Sequence, residues 1–112
     1  MRESEFNELV DETLEEIRDT LIVKGAEYRR DNNVFHNFEE GAKRTGLTRE
    51  KVLDGFLLKH EISINDMVND ISKDKLPNIA KVNEKFGDLL IYNIIKKISI
   101  IDKVQNNKLN NK

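Results

Sequence analysis

The chain has 112 residues, of which 36% are charged and 38% hydrophobic, with a formal net charge of -2; this suits one helix-rich globular domain and leaves too little chain for two cores. There is no cysteine, which excludes disulfides and thiol chemistry and removes the usual ligands of a zinc finger. Lysine and arginine are dispersed along the chain, without the concentrated basic face that sequence-independent nucleic-acid binding needs, so nucleic acid is not an expected partner.

From Glu3 to Arg29 the spacing of Phe6, Val10, Leu14, Ile17, Leu21 and Tyr28 predicts a first helix with acids between its apolar positions. Ser4 is the expected N-cap, and the early acids suit the positive end of a helix. Those acids (Glu3, Glu5, Glu8) also lack the basic-then-apolar layout of a signal peptide, which points to a cytoplasmic protein. Lys24 and Tyr28 lie one turn apart near the end of this helix.

Arg29 to Asn37 reads as a loop, because its Asp and Asn side chains bond to local backbone; Val34 and Phe35 pin it to the core. A short second helix is expected over Phe38 to Thr45. Gly46 is its C-cap, and Thr48 caps the next element. The third helix runs from Arg49 to Ser72 with Leu53, Phe56, Leu57, Ile64, Met67, Val68 and Ile71 on its apolar face. A second stripe carries Lys59, Ser63, Asp66 and Asp70. In the turn KDKLPN, Pro77 discourages helix at Leu76 and Asn78 can cap the last helix.

That last helix, to about Val104, is the most apolar stretch of the chain, and Lys96 and Lys97 keep it from reading as a membrane span. Val82, Phe86, Leu89, Leu90, Ile94, Ile98 and Ile101 recur at helical spacing, while Ile91, Ile95, Ile100 and Val104 cover further sides. A helix apolar on most sides is a central helix or an oligomer interface. The expected architecture is therefore all-α, a compact bundle of about four helices with the last one central. Residues 1–104 form its single domain and 105–112 a flexible polar tail.

Into this apolar helix the sequence places Glu84, Asp88 and Tyr92 at i, i+4 and i+8, on one stripe. The short turn makes the third and fourth helices antiparallel neighbours, which sets Asp66 and Met67 near Glu84, Ser63 near Asp88 and Lys59 near Tyr92. Two acids one turn apart can ligate Mg2+ through oxygen; Glu84 with Asp88 has that spacing, and Asp66 is level with them. The same pairs also occur on solvated helix faces, the plainer reading for Asp66 and Asp70. Lys59 reads either as a snorkelling surface lysine or as a phosphate-binding cation pointing at Asp88. His60 shares the apolar stripe with Phe56 and Ile64 and reads as a packed, hydrogen-bonded histidine.

The run GDLLIY after Glu84 resembles the acid-helix motif of the MazG-like, all-α nucleoside triphosphate pyrophosphohydrolases. The wider order is also similar: Lys24 and Tyr28, Asp31, Asn37-Phe38, Lys59-His60, then Glu84, Asp88 and Tyr92. The resemblance extends to small phage and prophage proteins associated with nucleotide modification, which would place this chain in the host cytoplasm. It implies Mg2+-dependent cleavage of a (deoxy)nucleoside triphosphate, with Asp88 and Glu84 catalytic and Glu84, Asp88 and Asp66 holding the metal. Lys59 and Lys24 would meet the phosphates, and Tyr28, Asn37 and Tyr92 would line the base or sugar pocket. A homo-oligomer is implied as well.

Lys85 stands three residues before Asp88 where the family has a glutamate, and the third helix reads KHEISINDMVND where the family has E-E-x-x-E. That departure gives two alternatives to catalysis. One is a nucleotide-binding protein that does not hydrolyse its ligand; the other is a small helical protein-interaction module.

Overall fold

The computed structural model describes residues 1–110 as four helices: α1 (Glu3–Tyr28), α2 (His36–Thr45), α3 (Arg49–Ile71) and α4 (Ile79–Asn110). The chain is all-α, and α3 against α4 is its most extensive pairing. No helix is long and apolar enough to cross a membrane among the described residues.

Local chemistry sets most of the boundaries. The Thr48 side chain accepts from the Lys51 amide at the start of α3, and Asn78 Oδ1 accepts from the Lys81 amide, 2.8 Å away, at the start of α4. Gly46 closes α2 in the left-handed region at φ 72°, where a side chain would be strained. The loop after α1 turns through Asp31 and Asn32, both at positive φ, and Asn33 Oδ1 accepts from the Phe35 amide. Two expected boundaries move. Arg2, not Ser4, is the N-cap of α1 and makes no side-chain cap bond, so that end relies on Glu3 and Glu5 facing the helix dipole. α4 runs past Val104 to Asn110, because the Asn-rich sequence after Gln105 contains no proline or glycine to stop it; positions 111–112 of the expected tail lie outside the described residues.

Contacts across the helices fix their directions. Ser63 with Lys85, Phe56 with Tyr92 and Arg49 with Asp102 make α3 and α4 antiparallel, in the register expected to within a turn. Lys24 with Asp88 and Tyr28 with Tyr92 make α1 parallel to α4. The core gathers Phe35, Phe38, Leu53, Leu57 and Tyr92, with Tyr28, Val52, Leu89 and Ile95 packed around it. α2 lies close on α3: a Cβ at Gly41 would come within 3.1 Å of the Val52 side chain, so only glycine fits without movement.

The core sits away from the start of α1. Of the apolar stripe expected there, only Ile17 is buried, and Phe6, Val10 and Leu14 remain exposed. Val68 and Ile71 at the far end of α3 are exposed too, since α3 meets α4 through Leu53, Leu57 and Met67. The radius of gyration, 17.1 Å, exceeds the roughly 13 Å of a closely rounded domain of this length, because helix ends project along a 53 Å axis.

Candidate functional site

The parallel packing of α1 on α4 brings two one-turn pairs face to face. Lys24 Nζ donates to Asp88 Oδ1 at 2.9 Å, and one turn on, the hydroxyls of Tyr28 and Tyr92 share a hydrogen bond at 2.6 Å. From the other side α3 supplies His60, whose Nδ1 stands 3.9 Å from Asp88 Oδ2. The three side chains are only part-buried. The hydrogen bond to Asp88 raises the Lys24 pKa above its ordinary value, and the ammonium stays charged. Burial, reinforced by the bond to Tyr28, pushes the Tyr92 hydroxyl upward, so it stays neutral.

The Tyr92 ring is the platform of the site. It stacks on Phe56 with centroids 5.3 Å apart and on His60 at 5.2 Å, and it lies tilted to Tyr28 at 6.2 Å. Beside these rings opens a cleft of about 510 Å³, bordered by Lys24, Lys51, Lys59 and His60 over Phe56 and Tyr92. Three lysines with aromatic surface between them suit an anionic, planar ligand. A larger hollow, about 610 Å³, lies between α1 and α4 and has a different character. It is lined by Ile17, Val82, Phe86 and Leu90 with Glu16 and Glu84 at its edge, and it offers no cation.

Of the residues singled out from the sequence, Lys24, Tyr28, Asp88 and Tyr92 meet directly, and Lys59 borders the same cleft. The lysine that pairs with Asp88 is Lys24, not Lys59, because α1 lies closer to this face of α4 than the exposed outer side of α3 does. Asn37 is exposed, and its side chain donates to the Glu27 carbonyl at 3.4 Å, joining the start of α2 to the end of α1. Glu84 borders the groove towards α1, and Asp66 borders a third hollow at the hairpin turn, near Lys81 and Lys85. These two acids and Asp88 thus face three different places, and no group of three or more His, Asp and Glu side chains suited to a metal gathers among the described residues.

Lys51, Phe56 and the contact of His60 with Asp88 were not anticipated as parts of a site. A signal was present: Lys24–Tyr28 and Asp88–Tyr92 have equal spacing, as two parallel helices in contact require. Comparisons with protein-family models, with curated proteins and with solved structures find no match to this chain.

Proposed function

We propose that the cleft beside Tyr92 binds a nucleotide and does not hydrolyse it. The observation that carries this reading is the gathering of Lys24, Lys51, Lys59 and His60 around the rings of Phe56 and Tyr92. Phosphate oxygens take the lysine ammonium groups, and the exposed ring of Phe56 offers the base a stacking surface. The volume of about 510 Å³ falls within the range of about 300–1,000 Å³ usual for small-molecule sites. Asp88 then orients Lys24 within the cleft and has no reacting atom to attack.

The catalytic reading asks Glu84, Asp88 and Asp66 to hold Mg2+ together, but Glu84 and Asp66 border separate hollows and Asp88 is paired with Lys24, an arrangement that does not favour it. The test is incubation with a panel of nucleoside and deoxynucleoside mono-, di- and triphosphates, with and without Mg2+, reading both melting temperature and the fate of the ligand. The expected outcome is a rise in melting temperature with at least one nucleotide, lost in Lys59→Ala, and ligand recovered intact. No shift with any nucleotide overturns the reading. Mg2+-dependent pyrophosphate release abolished by Asp88→Ala replaces it with hydrolysis.

A further inference from the structure

Glycine in the middle of a helix costs stability relative to alanine, because it gives up more conformational freedom on folding. Two glycines of this chain have a reason inside the fold: Gly41 lets α2 approach Val52, and Gly46 holds the left-handed turn after α2. Gly55 has none. It lies within α3, and apart from its own helix backbone and chain neighbours nothing stands within 4 Å of where its Cβ would be. Gly25 and Gly87 are equally open, so a bare glycine does not by itself make a site. What singles out Gly55 is its company.

Gly55 lines the cleft beside Tyr92, with Lys51 one turn before it and Lys59 one turn after. Each lysine is therefore about 6 Å from it along the helix axis, within reach of a flexible four-carbon side chain. Both lysines are exposed, and neither makes an ion pair among the described residues. Other lysines nearby are already paired, Lys24 with Asp88, Lys96 with Asp54 and Lys103 with Glu50. The next residue, Phe56, brings an exposed ring to the same cleft.

We propose that Gly55 is the seat of the ligand's phosphate, clamped from either side by Lys51 and Lys59 while the base lies on Phe56. The inference rests on the nucleotide reading of this cleft and adds the residue that positions the ligand in it. Amides in the interior of α3 are bonded within the helix, so the glycine contributes room and the lysines contribute charge. A phosphate on bare backbone sits low enough for both ammonium groups to close over it. A methyl group there lifts the phosphate by about 1.5 Å, the length of a carbon–carbon bond, and both contacts weaken steeply with distance. Gly55 is thus a positioning residue, not a catalytic one.

The test compares Gly55→Ala with Gly87→Ala in the full chain, with ADP, GDP, CDP and UDP as probes in calorimetric titration. Both substitutions should raise the melting temperature of the free protein by about 2–6 °C, since alanine suits a helix interior and its methyl meets no neighbour. Gly55→Ala should also weaken the tightest-binding diphosphate at least about tenfold, whereas Gly87→Ala, on the seam with α1, should leave it unchanged. Lys51→Ala should cost a similar factor. The double variant Lys51→Ala/Gly55→Ala should lose little more than either single one, because both changes release the same phosphate. Equal affinity of Gly55→Ala and the wild-type chain overturns the seat and leaves the nucleotide reading standing. Losses that multiply in the double variant overturn it too, since Gly55 and Lys51 then meet different parts of the ligand. If none of the four diphosphates binds the wild-type chain, the nucleotide reading falls and the seat falls with it.

Discussion

Arg49 and Asp88 each centre a cluster of charge between helices, and the two clusters differ in how fully they are closed. Arg49 lies at the start of α3, with its side chain 8% exposed, and spends its donors within the protein. Nε donates to Ser99 Oγ at 2.7 Å and to Glu50, Nη2 to the Ser99 carbonyl and Asp102, both at 3.0 Å, and Nη1 to Glu39 at 3.3 Å. The guanidinium also lies 4.1 Å over the Phe35 ring. Three acids surround one cation, and α2, α3 and α4 are tied at one point. At Asp88 the balance is reversed: one carboxylate faces Lys24 and His60 while Lys51 and Lys59 stand nearby at an open cleft. A closed network with matched partners holds a fold, whereas an open one with surplus cation is free to meet a ligand.

The sharpest way to break this contrast is to remove each centre. Arg49→Ala leaves Glu50 and the buried Ser99 without their partner, and the loss of a buried charged partner typically costs about 3–5 kcal/mol. Urea unfolding should show that loss, and a cost below about 1 kcal/mol, the range of an exposed ion pair, would mean that the cluster does not hold the helices. At the other centre, Tyr92→Phe deletes only the hydroxyl shared with Tyr28 and keeps the stacked ring. Its expected cost is about 1 kcal/mol. A larger loss would make the cleft a structural centre of the same rank as Arg49 and blur the distinction.

The helices and most of their caps were legible in the sequence, since periodicity and the side chains of Thr48, Gly46 and Asn78 act over a few residues. The pairing of α3 with α4 was legible for the same reason, because a short turn leaves two helices one simple way to lie together. Arg49 was not. Its partners at 39, 50, 99 and 102 each look like solvated side chains on their own helices, and only the fold brings them to one guanidinium. The site was read in part. Asp88 and Tyr92 stand out on an apolar helix, but the short turn points to a lysine on α3 as the partner, while Lys24 arrives on a helix separated by sixty-four positions. Periodicity likewise showed that α1 has an apolar face without showing that its first turns reach past every partner in the chain.

The smallest expected effect separates the two clusters by pH. Burial pushes the Glu50 carboxyl upward, but hydrogen bonds from Ser99 and Arg49 outweigh that and hold its pKa below the ordinary value. A lowered carboxyl contributes stability above its unfolded pKa and loses it as pH falls through the folded one, so this contribution fades below about pH 4. Lys24 and Tyr92 are both raised, Lys24 by its bond to Asp88 and Tyr92 by burial. The folded state then holds protons that the unfolded chain releases, and stability falls as pH rises above about 10. Melting temperature measured from about pH 3 to 11 should therefore decline at both ends. Glu50→Gln should make only the acid decline shallower, and Tyr92→Phe only the alkaline one. If either substitution moved the opposite limb, the two clusters would be coupled through α4, and the closed and open centres would have to be treated as one network.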